Sequence, residues 1–184
     1  MEALLVSTGV VALAEIGDKT QLLALLLATR LRAPIPIVLG IVVATLANHA
    51  FAGAVGAWLV HVIGPDVMRW ILGISFLAMA AWTLIPDEPP ADDAARPRYG
   101  VFVTTVVAFF LVEMGDKTQI ATVMLAARFE SLVSVVIGTT LGMMLVNVPT
   151  VFLGRAASAR IPFKAVRIAA ALLFAGLGIW VLVG

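Results

Sequence analysis

Two charge clusters limit what this chain can fold into. Glu15-Ile16-Gly17-Asp18-Lys19-Thr20-Gln21 sits in an otherwise uncharged run from Ala3 to Ala28, and the pattern returns 98 positions later as Glu113-Met114-Gly115-Asp116-Lys117-Thr118-Gln119. The whole chain of 184 residues is 62% hydrophobic and 12% charged, with a mean hydropathy of +1.10. Soluble domains run at about 45–50% apolar and about 25% charged. The solvent for most of this surface is therefore lipid. With no cysteine, the chain has no disulfide, thiolate metal site or thiol nucleophile. Soft-metal chemistry would rest on two histidines and seven methionines alone.

A membrane-spanning helix needs about 20 largely apolar residues. Six runs between charge and proline punctuation meet that length, at about 3–29, 35–61, 66–85, 100–127, 132–154 and 164–183. Pro34, Pro65 and Pro162 stand just before three of them, where a missing N–H costs little. Trp70, Trp82 and Trp180 fall toward span ends, as interfacial aromatics do. Ala12-Leu13-Ala14 has the small-x-small form of a signal-peptidase site, but Met1-Glu2 supplies no basic segment before it. Residues 110–128 repeat the same segment in mid-chain, so residues 1–28 are expected to be retained structure. Pro86 to Arg98, rich in proline and charge, reads as a flexible linker.

The 98-residue offset holds without a gap far beyond the clusters. It pairs Arg30 with Arg128, Gly40 with Gly138, Gly56 with Gly154, Arg69 with Arg167, Phe76 with Phe174 and Trp82 with Trp180. This is a duplication. Three spans per half is an odd number, so the second half enters the membrane from the opposite side. The expected fold is all-α: an integral membrane protein of six transmembrane helices built as two inverted three-helix repeats, 1–85 and 100–184, joined by a linker at 86–99. Secondary transporters of this design hold their substrate at the midplane, where the repeats meet.

Charge bias gives an orientation. The first, third and fifth connections carry Arg30, Arg32, Arg96, Arg98, Arg155, Arg160 and Lys164, with Arg167 at the edge. The opposite side carries both termini with Arg69 and Arg128. The positive-inside rule then predicts a cytoplasmic linker and both termini outside.

Glu15 and Glu113 each lie about 13 residues into their spans, near the bilayer centre. A central Asp, Lys or Arg costs about 2.5–3.5 kcal/mol on the insertion scale, so six such charges facing lipid would cost on the order of 15–20 kcal/mol. They must face inward. Glu15 and Asp18 are i and i+3, so both carboxylates are expected on one helix face, as are those of Glu113 and Asp116. Inverted repeats bring those faces together as a cage of up to four carboxylates, with Thr20, Gln21, Thr118 and Gln119 nearby. Hard divalent cations take that inventory of oxygens. Gly17 and Gly115 allow the helix to break and offer backbone carbonyls as well.

Lys19 and Lys117 are expected to act as counter-ions or gates that occupy the site when the metal leaves. The plainer reading makes each lysine a neutralising partner of its neighbouring acid, although two acids per motif exceed what one lysine balances. Asn48 and His49 lie near the middle of the second span, and the offset pairs His49 with Asn147, which begins Asn147-Val148-Pro149. His49 is either an auxiliary ligand or proton relay, or a packing hydrogen bond between helices. Pro149 is expected to kink its helix. His61 reads as interfacial, and Met79, Met124, Met143 and Met144 as packing.

The paired E-x-G-D-K-[TS] motifs, Glu15, Gly17, Asp18, Lys19, Thr20 and Glu113, Gly115, Asp116, Lys117, Thr118, resemble those of the cation/proton exchanger family catalogued as uncharacterised protein family 0016. That family includes Golgi calcium/manganese transporters and bacterial manganese exporters of the MneA type. The resemblance covers nearly the whole chain. It implies that the acids of both motifs bind the transported ion and that Mn²⁺ or Ca²⁺ is exchanged for protons. It also implies a cytosolic central loop, in agreement with the charge count, and no permanent cofactor. The compact chain looks more like the bacterial members, which implies Mn²⁺ efflux across a bacterial inner membrane. The partners expected are then a divalent cation, protons and the bilayer, with no nucleic acid.

Three rivals make different predictions. A proton-coupled exporter of an amino acid would set Lys19 and Lys117 on a carboxylate and the acids on an amine. An intramembrane hydrolase would need chemistry the chain lacks, since it has no H-E-x-x-H sequence and no cysteine. A membrane scaffold would tolerate loss of Glu15 or Glu113 with no change in cation tolerance.

Overall fold

The computed structural model describes residues 1–87, 99–154 and 162–183. Most of the linker (88–98) and the cluster of basic residues at Arg155 and Arg160 lie outside the described residues, as do Arg96 and Arg98. Among those described, eight helices form and there is no strand. They are α1 (Glu2–Glu15), α2 (Lys19–Leu31), α3 (Pro34–Val62), α4 (Pro65–Thr83), α5 (Val101–Glu113), α6 (Lys117–Phe129), α7 (Leu132–Leu153) and α8 (Phe163–Val183). Pro34 and Pro65 open α3 and α4, and Pro162 stands immediately before α8. The chain runs as α-helix past Pro149 to the end of α7.

Three helices, α3, α7 and α8, are each long and apolar enough to cross a membrane. The runs expected at 3–29 and 100–127 are each divided in two, into helices of 13 or 14 residues. The division falls at the glycine of each motif. Gly17 has φ +84° and Gly115 φ +74°, a region closed to side chains with a Cβ at ordinary cost. The residue before each is extended, with Ile16 at φ −66°, ψ 112° and Met114 at φ −62°, ψ 120°. Asp18 and Asp116 then take the N-cap positions of α2 and α6 in matching extended conformations.

Packing between the halves is reciprocal. α1 lies along α7 and α3 along α5, while α4 pairs with α8 and α3 also covers α6 and α7. At Gly40 of α3 the backbone comes so close to α5 that a Cβ would lie 2.7 Å from Thr105 Cβ and 3.0 Å from the Phe102 carbonyl. At Gly138 of α7 the same atom would lie 3.0 Å from Ser7 Cβ and 2.6 Å from the Leu4 carbonyl of α1. Gly40 and Gly138, Thr105 and Ser7, and Phe102 and Leu4 are all related by the 98-residue offset. Small residues at such crossings let helix backbones approach where no hydrophobic drive exists between them. Phe76 and Phe174, also offset-related, stack with ring centroids 6.4 Å apart.

The surface is apolar and the interior is partly charged. Leu5, Phe51, Leu145 and Leu172 are exposed, while Glu15, Asp18, His49, Glu113, Asp116 and Lys117 are buried. A water-soluble protein arranges these classes the other way round. With the apolar helices, this distribution makes the chain an integral membrane protein.

Candidate functional site

Both motifs unfold into the same local geometry. The amide of Gly17 donates to Gln21 Oε1 at 2.8 Å, and that of Gly115 to Gln119 Oε1 at 2.7 Å. Each glutamine side chain thus closes the gap in its own broken helix and satisfies an amide that the break would orphan. The amides of Asp18 and Asp116 donate to the carbonyls of Glu15 and Glu113, both at 3.0 Å. Neither aspartate carboxylate caps its helix, so both remain free to act in the interior.

Glu15 and Asp18 do not meet on one helix face. Three residues apart they would align on a continuous helix, but the helix ends at Glu15 and restarts at Lys19. Thr20 joins them instead: its hydroxyl donates to Glu15 Oε1 and lies 3.4 Å from Asp18 Oδ2. In the second motif Thr118 Oγ1 lies 3.3 Å from Asp116 Oδ2.

The lysines also differ from the plain expectation. Neither bridges to the acid of its own motif; they cross. Lys19 Nζ stands 3.1 Å from Asp116 Oδ1, and Lys117 Nζ stands 3.7 Å from Asp18 Oδ1. The two motifs, 98 residues apart in sequence, thereby form one charged cluster. Among the described residues no group of three or more carboxylate and imidazole side chains is gathered tightly enough to hold a metal ion. Ammonium groups stand between acids that would otherwise repel.

The second helices complete the cluster across the repeat boundary. From α3, Asn48 Nδ2 donates to Glu113 Oε2 at 3.3 Å, Thr45 Oγ1 lies 3.4 Å from the same oxygen, and His49 Nε2 lies 2.8 Å from Glu113 Oε1. From α7, Asn147 Nδ2 donates to Glu15 Oε1 at 2.8 Å. Gln119 Nε2 reaches Asn48 Oδ1 at 3.3 Å, and Gln21 Nε2 reaches Thr150 Oγ1 at 3.1 Å. By these contacts the thirteen site candidates fall into four groups: Glu15, Thr20, Asp18, Asn147 and Lys117; Asp116, Lys19 and Thr118; Glu113, Asn48, His49 and Gln119; and Gln21 with Thr150. His61 lies apart, exposed in the last turn of α3.

Four buried oxygens of these residues have no hydrogen-bond partner: Glu15 Oε2, Asp18 Oδ1, Asn147 Oδ1 and Glu113 Oε1, the last facing His49 Nε2 at 2.8 Å. An unpaired buried acceptor is costly. Apart from Glu113 Oε1, which faces an imidazole, these atoms belong to the first motif and to the asparagine that touches it.

Thr45, Thr150 and Asp87 escaped the sequence reading. Thr45 sits three and four residues before Asn48 and His49, and Thr150 three after Asn147, so helical spacing alone places both on the site-facing side. Asp87 follows α4 in a stretch without periodicity, and nothing in the sequence marks it.

The profile of the divalent cation/proton antiporter GDT1 family matches residues 3–91 and 101–184. A protein of Vibrio cholerae serotype O1, described as "Putative manganese exporter", is 50% identical over 175 residues, covering 95% of this chain and 87% of that protein. No solved structure matches the chain. The family is one of transporters rather than enzymes. By a match on both halves and an identity far above what shared fold alone produces, this chain belongs to the divalent cation/proton antiporter GDT1 family.

Proposed function

We propose that the protein exports Mn²⁺ from the cytoplasm in exchange for protons, by alternating access around Glu15, Asp18, Glu113 and Asp116. The observation that carries this reading is the crossed pairing of Lys19 with Asp116 and Lys117 with Asp18, which makes one site out of two motifs. The choice of Mn²⁺ is supported by the description of the Vibrio cholerae relative. Ca²⁺ takes the same oxygen donors and is the second ion to test.

The architecture we propose is six spans in two inverted repeats, residues 1–85 and 100–184, with the segment 86–99 in the cytoplasm and both termini outside. The offset-related contacts at Gly40 and Gly138 support a two-fold relation between the halves. In this arrangement α1 with α2, and α5 with α6, each make one broken span, as in transporters whose half-helix ends meet at the substrate.

Coupling follows from competition. Protons and a divalent cation seek the same carboxylate oxygens, so a site loaded with one excludes the other. Loaded with one divalent ion or with two protons, the buried cluster carries the same net charge, and any other loading adds an unbalanced charge in a low-dielectric setting. Two protons per ion is therefore the expected exchange. Lys19 and Lys117 hold the acids apart from one another between loads.

Purified protein in liposomes tests this directly. An imposed pH gradient should drive accumulation of Mn²⁺, and Mn²⁺ entry should release protons. A gradient that moves neither Mn²⁺ nor Ca²⁺ would sink the reading.

A further inference from the structure

The repeat is broken at one of its two lysines. Lys19 is 29% exposed and makes a close pair with Asp116, at 3.1 Å. Lys117, its equivalent, is only 2% exposed. Its ammonium forms an ion pair with Asp87, hydrogen-bonds the Ile85 carbonyl at 3.3 Å, and lies 5.9 Å from the centre of the Trp82 ring. These three partners come from the end of α4, the residues after it and the start of the linker. The Asp87 carboxylate is itself mostly covered, at 19% exposure.

The contact has a consequence at Asp18. Drawn toward Asp87, the Lys117 ammonium remains 3.7 Å from Asp18 Oδ1, beyond hydrogen-bond reach, and that oxygen is left buried without a partner. Glu15 Oε2, in the same motif, is also unpartnered. In the second motif, where the lysine has closed on its aspartate, Asp116 is not among the buried groups without a partner. One ammonium is thus shared unequally between two carboxylates, and the one nearer the linker holds it.

We propose that Asp87 is the parking acceptor for Lys117: it holds the ammonium off Asp18 and so leaves that carboxylate open to a divalent cation. The lysine then stays paired while a cation is bound. A cation and an ammonium never need to share Asp18, a clash of like charges that a buried site would feel strongly. The role is one of positioning, since Asp87 acts on the ion only through Lys117. It rests on the reading of Glu15 and Asp18 as cation ligands.

Five proteins purified in detergent decide the matter: wild type, Asp87→Asn, Asp87→Glu, Lys117→Gln and the double variant Asp87→Asn with Lys117→Gln. The probe is Mn²⁺, with Kd from equilibrium binding and with KM and kcat from uptake into proteoliposomes. Asp87→Asn alone should raise Kd and KM about tenfold, the effect of losing one charge-assisted hydrogen bond, while kcat holds within about twofold. Asp87→Glu should restore both constants. Once Lys117→Gln is present, adding Asp87→Asn should change Kd by less than about twofold, because the coupling has lost its other member. An unchanged Kd in Asp87→Asn overturns the proposal. So does an equal loss with and without Lys117, which would make Asp87 a direct ligand or a structural residue. A wild-type protein that binds neither Mn²⁺ nor Ca²⁺ defeats the proposed function instead, so the two failures are distinct.

Discussion

His49 Nε2 stands 2.8 Å from Glu113 Oε1 with both side chains fully buried, whereas the offset-related Asn147 gives Glu15 an amide hydrogen at the same distance. Two equivalent glutamates thus face different partners. Glutamine places an amide nitrogen close to where histidine carries Nε2. If the contact serves to hold Glu113, His49→Gln should keep Mn²⁺ transport within about threefold of wild type, and His49→Leu should lower it by about tenfold or more by leaving a buried carboxylate oxygen unpaired. Equal loss in both variants, measured in proteoliposomes at matched protein density, would show that the imidazole itself is needed.

Glu15 and Glu113 lie in different motifs and are held from different helices, Glu15 by Asn147 of α7 and Glu113 by Asn48 of α3. Glu15→Gln and Glu113→Gln preserve shape and remove charge. Either alone should cut exchange by about a hundredfold, roughly the cost of losing one ligand charge in a dry site. In cells the same changes should abolish Mn²⁺ resistance. Resistance at the wild-type level in either variant would favour a scaffold.

Gly17 and Gly115 share a positive φ but not their surroundings. A Cβ on Gly17 would lie 2.7 Å from the Phe163 ring, whereas one on Gly115 meets nothing within 4 Å. Both Gly→Ala changes carry the left-handed backbone penalty of about 1 kcal/mol. Gly17→Ala should add a further overpacking cost of about 1–3 kcal/mol. Thermal unfolding in detergent should therefore rank wild type above Gly115→Ala above Gly17→Ala, with Phe163→Ala narrowing the gap between the two variants.

Exchange of two protons for one divalent ion moves no net charge. Mn²⁺ uptake driven by a fixed pH gradient should then be insensitive to a potassium diffusion potential of either sign. A rate that changes severalfold with a potential of about 100 mV, where one elementary charge is worth about 2.3 kcal/mol, would require a different proton count.

The sequence by itself determined the all-helical membrane class and the duplication, and it named most of the buried polar side chains around the two motifs. Apolar length and the cost of buried charge are local properties, and an offset of 98 residues is visible without coordinates. Helical spacing likewise carries Thr45 and Thr150, next to residues already singled out. Only the tertiary structure decided who pairs with whom. The motif looks like one continuous helix until Gly17 and Gly115 take positive φ, and that break replaces a shared helix face with the Thr20 bridge between Glu15 and Asp18. The crossing of Lys19 to Asp116, and the capture of Lys117 by Asp87, depend on how helices far apart in the chain are laid side by side. Periodicity reports which face of a helix turns inward; it does not report what it will meet there.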